Sequence, residues 1–356
     1  MVRKIILRSI TTIFMCSFLL AGFAFGQEIA PFDASGLVKL GDKIQYGIYT
    51  ICKIGDGIYQ ISDHELHQTE ARLGATGSAI YLIRGKKKAM IVDLGNNYKD
   101  GYAGDNLKPR EHGAKEFLAV VNGLTGNLPI EAAPTHMHVD HDGMTGTLIN
   151  RKGVTFWASD KENVADIKTQ HGIDLSVYTP FTAGEKSFDL GGGCIVNTFL
   201  VRGHTNGGTV FILKKDGSVF VFTGDALIPG IRPTEQVAED VQKLVDYIFA
   251  NFSPYERYAI RVYPAHAHTI SEEAKADVVF QDWRFLQDMA TLTKGIVAGT
   301  WQEKGSGFHF EEEIKSDSKG PQGGQGGPGG PGGQGGVSGY MFYGVAKVKM
   351  TVNQTK

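Results

Sequence analysis

Apolar positions in the first third of the chain come in short runs, too brief for helices. Residues 47–51, 57–62, 78–83 and 89–94 are rich in Ile, Val, Tyr and Leu and read as strands. Asp56-Gly57 and Arg84-Gly85 punctuate them as turns. The period then changes. Phe117, Leu118, Val121 and Leu124 recur at helical spacing, which predicts a helix over residues 114–124. A short apolar run follows, made of Leu128, Pro129, Ile130, Ala132 and Ala133. Residues 154–158 read as a strand, and Asp160 as the cap of a helix through Ile167.

A second β-rich half begins near residue 194. Residues 194–201, 209–213 and 219–223 are strand-like, and residues 235–252 predict a long helix. Residues 258–263 read as another strand, and residues 271–292 as a helix that starts near Ser271. Glu272 and Glu273 suit the positive end of that helix. Taken alone, this order supports a mixed α/β chain. Its two β-rich halves with outer helices suggest an αββα sandwich of two mixed β-sheets. The implied organisation is an irregular lead-in over residues 27–45 and one domain over 46–315. A Gly/Pro/Gln-rich flexible segment follows over 316–339, then a strand-like end over 340–356. The glycine-rich segment is expected to be a solvated loop.

Composition narrows the class of protein. With 356 residues and 42% hydrophobic content the chain can bury a sizeable core. A formal net charge of -2 gives no basic face for nucleic acid. The first 26 residues resemble an export signal: Arg3, Lys4 and Arg8 precede an apolar stretch over 10–25, and Ala24-Phe25-Gly26 resembles a cleavage site before Gln27. The stretch is short for a membrane span, so cleavage is expected rather than an uncleaved anchor. Cleavage removes three basic residues and no acidic ones, leaving 33 - 38 = -5. The expected location is therefore periplasmic or secreted, with no stable membrane span. Of three cysteines, Cys16 lies in the signal. Cys52 and Cys194 either pair or remain buried thiols, and no Cys-x-x-Cys offers a thiolate zinc site.

The candidate chemistry is concentrated in Thr135-His136-Met137-His138-Val139-Asp140-His141. Neutral imidazole is the commonest protein ligand for borderline cations. His136 and His138 are two apart, so an extended backbone points them the same way. Asp140 and His141 follow where the chain can turn into a helix, a geometry suited to two neighbouring cations. Three later residues of the right type also sit where strands give way to loops. His204 lies in Arg202-Gly203-His204-Thr205-Asn206-Gly207-Gly208, Asp225 in Thr223-Gly224-Asp225, and His266 in Tyr263-Pro264-Ala265-His266-Ala267-His268. Small neighbours allow such loops to approach closely. His266 and His268 share a face, and either could bind. His64, His67, His112, His171 and His309 fit no part of this pattern.

With Asp93 in Ile91-Val92-Asp93-Leu94-Gly95 added, the series resembles the metallo-β-lactamase-fold hydrolase superfamily over roughly residues 45–270. The resemblance favours His266 over His268, because it directly follows Pro264-Ala265 where the family usually has Pro-Gly-His; Ala265 in place of that glycine is one departure. The resemblance implies an αββα sandwich with a dinuclear centre at its edge. One metal would take His136, His138 and His204, the other Asp140, His141 and His266, with Asp225 between them. Asp93 would order the neighbouring loops. Two Zn2+ are the implied cofactors, with iron or manganese as alternatives.

The implied activity is hydrolysis of an ester, lactone, thioester, amide or phosphoester bond in a small-molecule substrate, by hydroxide held between the cations. Asp140 would orient the nucleophile and pass its proton on. One group of true β-lactamases carries Cys where Asp225 stands, and no Cys occurs between His204 and His266. Another branch keeps the Asp140-His141 pairing, so β-lactam hydrolysis remains an alternative. A mononuclear iron sulfur dioxygenase and a non-catalytic metal-binding protein are the other readings. Residues 96–110, with Tyr98 and Tyr102, and residues 227–234 are candidates to shape the pocket.

Overall fold

The computed structural model describes residues 29–63, 78–96, 113–162, 175–227, 235–266 and 283–298. Thirteen strands among them form two sheets. The first sheet runs in sequence order: β1 (Lys43–Tyr46), β2 (Tyr49–Gly55), β3 (Ile58–Asp63), β4 (Ala79–Arg84), β5 (Ala89–Val92), β6 (Ile130–Ala133), β7 (Val154–Ser159) and β8 (Tyr178–Phe181). It is antiparallel from β1 to β5 and parallel from β5 to β8. The second contains β9 (Ser187–Asp189), β10 (Ile195–Leu200), β11 (Thr209–Lys215), β12 (Ser218–Gly224) and β13 (Ile260–Pro264), in the order β13-β12-β11-β10-β9. Only its β12–β13 pair is parallel.

The central strands are apolar throughout because both of their faces are covered. In β12, Val219 and Val221 face one apolar layer while Phe220 and Phe222 face another. Strand β11 divides in the same way, with Val210 and Ile212 on one side and Phe211 and Leu213 on the other. In the first sheet, Ile80 and Leu82 of β4 point outward, and Tyr81 and Ile83 point to the layer between the sheets. That inter-sheet layer is rich in aromatic rings: Tyr81 lies 4.7 Å from Phe222 and 5.7 Å from Tyr263. Each such ring removed from water contributes about 1.5–3 kcal/mol.

Helices cover the two outer faces. On the first sheet, α1 (Gly113–Thr125) buries Phe117, Val120, Val121 and Leu124. Two single-turn helices follow β6: α2 (Val139–Asp142) and α3 (Thr145–Leu148). On the second sheet, α4 (Glu235–Asn251) buries Val237, Val241, Leu244, Val245 and Ile248. Helix α6 (Arg284–Val297) adds Phe285, Leu286 and Met289 to the same layer. The result is the αββα sandwich expected from the sequence.

Several boundaries differ from the sequence reading. The lead-in ends in a strand, β1, and its Phe32 and Leu37 are buried against the first sheet. Strands β8 and β9 were not expected. Residues 254–258 form a short helix, α5 (Pro254–Tyr258), which delays the following strand to Ile260. Its cause is a capping box: Ser253 Oγ accepts from Glu256 N at 3.3 Å, and Glu256 Oε2 accepts from Ser253 N at 2.8 Å. Asp160 lies in a turn, where its carboxylate accepts from Thr182 Oγ1 at 2.8 Å. Most of the helix expected after it lies outside the described residues, as does residues 271–282 of the last expected helix. The export signal, the glycine-rich segment and the C-terminal end lie outside them too. Cys52 and Cys194 are buried in the inter-sheet layer and form no disulfide with each other.

Candidate metal centre

Strand ends deliver the candidate ligands. Strands β5 and β6 run parallel, with Val92 beside Ala133, so Asp93 and the 134–138 loop leave the sheet together. Asp93 adopts φ of 61°, a conformation that Asp tolerates better than most residues. Its Oδ1 accepts from Thr135 N at 2.6 Å and from Thr135 Oγ1 at 2.9 Å. The chain then turns into α2, with the His138 carbonyl accepting from His141 N at 2.8 Å. Leu94 N donates to the His141 carbonyl at 2.5 Å, and Gly143 N to the Gly95 carbonyl at 2.9 Å. These bonds fix the direction of His141.

The second sheet reaches the same edge. Thr209 N donates to the Thr135 carbonyl at 2.8 Å, tying β11 to the histidine loop. Ala79 N donates to the Ala265 carbonyl at 2.7 Å, tying β4 to the end of β13. Gly224, at φ of 51°, packs on Thr135 so closely that a Cβ would overlap that side chain. Ser78 Oγ donates to the Asp140 carbonyl. The sequence reading gave no part to Ser78 or to the Thr135 side chain, because their partners lie far away along the chain.

All seven candidate ligands come together. Nε2 of His136 is 2.9 Å from Nδ1 of His138, which is 3.0 Å from Nε2 of His204. Nε2 of His266 lies 3.4 Å from Asp140 Oδ2 and 3.3 Å from Asp225 Oδ1. Nε2 of His141 lies 3.5 Å from Asp140 Oδ2 and 3.6 Å from Asp225 Oδ2, and that oxygen is 3.4 Å from His204 Nε2. Three overlapping groups have ligand atoms within 4.8 Å of one another: His136, His138, His204; His136, His141, Asp225; and Asp140, His141, His266. Asp225 therefore stands between the two histidine groups. His268 lies outside the described residues, as do all five histidines that fitted no pattern and the loop tyrosines Tyr98 and Tyr102.

The donor set fits divalent metal ions. Zinc–nitrogen bonds of about 2.0–2.1 Å in a tetrahedron put neighbouring donors roughly 3.3 Å apart. The ring nitrogens here sit slightly closer than that. Among the described residues, both ring nitrogens of His141 and Oδ1 of Asp225 are buried without a well-aligned hydrogen bond. Such atoms are costly unless something else satisfies them. Asp93 Oδ2 faces His141 Nδ1 at 3.1 Å, which orients Nε2 toward the cluster. A carboxylate behind a ligand histidine is a common second partner in metal sites.

Electrostatics point the same way. Burial holds His136 well below the usual imidazole range, and His141 beside it adds to the effect. Burial also pushes His204 down to about 4, against the pull of Asp225. Both rings are thus neutral and have lone pairs to offer. Burial raises Asp140 and Asp225, but the neighbouring His141 and His266 outweigh it and hold both carboxyls well below their ordinary range. Burial lowers His141 and His266, yet Asp140 and Asp225 outweigh it and raise both rings. The two carboxylates thus favour protons on these rings, with which a cation would compete.

Comparison with known proteins agrees with this architecture. Residues 73–281, more than half of the chain, match the family model of the metallo-beta-lactamase superfamily, and the chain belongs to that superfamily. No curated protein matches it. Among solved structures, the DIM-1 metallo-beta-lactamase is similar at 16% identity, with 71% of this chain and 100% of that one covered and a TM-score of 0.47. The mono-zinc form of FIM-1 from Pseudomonas aeruginosa shows 16% identity, coverage of 71% and 98%, and a TM-score of 0.48. A metallo-beta-lactamase from Pontibacter korlensis shows 18% identity, coverage of 69% and 99%, and a TM-score of 0.47.

Proposed function

We propose that the protein is an exported metal-dependent hydrolase with two Zn2+, acting on an ester, lactone, thioester, amide or phosphoester bond of a small molecule. The observation that carries this reading is the position of Asp225, whose two oxygens lie within 3.6 Å of His141, His204 and His266. Two cations held there would supply polarisation of the scissile oxygen and acidification of water. His136, His138 and His204 would hold one of them; Asp140, His141 and His266 would hold the other. The Asp93 carboxylate, 3.1 Å from His141 Nδ1, helps to keep Nε2 aimed inward. Asp140 holds its Oδ2 beside His266 and is the group placed to orient water and take up its proton. The basic start at Arg3, Lys4 and Arg8 and the apolar stretch after it support export.

The test is metal analysis of the purified full chain, followed by a substrate panel covering the five bond types and β-lactams. Two zinc ions per chain and turnover that Asp140→Asn abolishes are the expected result. One iron per chain with oxygen consumption, or no turnover on any member of the panel, overturns the reading. N-terminal sequencing of exported protein should begin at Gln27; retention of the first 26 residues removes the export claim.

A further inference from the structure

The three histidines of the first group come from two loops 66 residues apart, one at the edge of each sheet. A tetrahedral site tolerates little error in their separation. One link between the loops is the Thr135–Thr209 backbone bond already described. A second link lies on their other side. Glu162 follows β7, where its backbone N donates to the Ser159 carbonyl at 3.1 Å. Its Oε1 accepts from Thr205 Oγ1 at 2.7 Å. The backbone N–H groups of Met137 and Gly207 also face its carboxyl and favour its charged form, against a burial that pushes it up to about 7. Met137 sits between His136 and His138, and Thr205 directly follows His204. Gly207 presses on Glu162: a Cβ at that position would stand 2.6 Å from Glu162 Cγ and 2.7 Å from both its backbone N and Oε1. Only glycine allows the loop to come this near.

We propose that Glu162 is a positioning residue that clamps the His136–His138 loop to the His204 loop and so sets the spacing of one metal site. The inference rests on the two-cation reading above. A carboxylate suits the task because it only accepts, and its two oxygens can serve three donors at once. Glutamine keeps the length but has one accepting oxygen, and its NH2 would face a donor. It can therefore restore the clamp only in part.

The test measures stepwise Zn2+ affinities by competition with a chromophoric chelator, together with the melting temperature of the metal-free protein. It compares the parent full chain with Glu162→Ala, Glu162→Gln and Thr205→Val. His138→Ala serves to identify the site. Glu162→Ala should weaken one Zn2+ equivalent by about 10- to 100-fold, the range typical for removing such a partner. It should be the same equivalent that His138→Ala removes. The other equivalent should stay close to the parent value, and Glu162→Gln should recover part of the loss. Unchanged affinities in Glu162→Ala refute the clamp alone. Equal weakening of both equivalents, matched by a fall in the melting temperature of the metal-free protein and not relieved by Glu162→Gln, shows a merely structural residue and also refutes it. If Glu162→Ala does not fold, Thr205→Val decides the matter: a smaller loss in the same equivalent supports the clamp, and none overturns it. A parent chain that takes up fewer than two Zn2+ refutes both this inference and the function it rests on.

Discussion

Replacing Asp93 by asparagine separates its two tasks. Asp93 Oδ1 accepts from Thr135 N and Oγ1 at 2.6 and 2.9 Å, while Oδ2 faces His141 Nδ1 at 3.1 Å. Asparagine has the same shape and tolerates a φ of 61°. Its carbonyl oxygen can keep both Thr135 bonds, at a cost of about 1 kcal/mol for the lost charge. Its NH2 group then points at His141 Nδ1. To avoid setting donor against donor, His141 must move its proton to Nε2, the atom that faces Asp140 and Asp225. That removes the lone pair a cation needs. Loss of such a partner weakens metal binding about 10- to 100-fold, or roughly 1.4–2.7 kcal/mol. Stepwise Zn2+ titration should show the loss in the equivalent held by Asp140, His141 and His266. Asp93→Gly and Asp93→Ala lose both Thr135 bonds, about 3–6 kcal/mol in total. Alanine should be worse than glycine by about 1 kcal/mol, since a Cβ is strained at positive φ. Parent-like affinities in Asp93→Asn, or an alanine variant more stable than the glycine one, would refute this reasoning.

Four further outcomes are expected. Arg202→Met strands the buried Asp240, which accepts from the guanidinium at 2.6 Å through each oxygen, and should cost about 2–4 kcal/mol in urea unfolding; a change under about 0.5 kcal/mol contradicts it. Gly224→Ala drives a methyl group into Thr135, 2.9 Å from its Cγ2, and should impair both stability and zinc uptake; normal zinc content would show that the loops yield there. Lys214 and Ser253 hold the Glu256 carboxyl down at about 2, so its contribution to α5 is present above the unfolded value of about 4.5 and fades as pH falls toward 2. Protection factors of the α5 amides, corrected for the intrinsic pH dependence of exchange, should fall across that window in the parent and stay flat in Glu256→Gln. Chelation of metal from the loaded protein should lower its melting temperature, because a ligand at 100 times its Kd adds about 2.7 kcal/mol to the native state; equal melting points with and without metal would count against bound cations.

Much of the site was legible because few residue types bind cations and because each candidate follows a strand or a glycine. His136, His138, Asp140 and His141 stand close together in the sequence, and Gly203-His204 and Gly224-Asp225 mark backbones that must approach others. The geometry of the histidine pair was less so. His136 and His138 lie beyond the end of β6 rather than on it, and tertiary bonds, not strand alternation, aim their rings. Glu162 left no signal at all, since its partners are Met137, Thr205 and Gly207 and its own neighbours are ordinary polar residues. The central strands were visible as apolar runs. Strands β8 and β9 escaped notice because each is short and half polar, as in Ser187-Phe188-Asp189. Helix α5 carries a readable Ser253-x-x-Glu256 signature, but at five residues it adds no periodicity to find.

The parallel ladder between β12 and β13 bears on how the protein matures. Residues 219–224 meet residues 260–264 only after α4 and α5 have crossed the second sheet, so His266 is the last of the seven donors to arrive. A nascent chain lacking it presents Asp140 and His141 without their third companion. With cations bound at this centre, their tight retention would therefore report that the last of the described strands has docked.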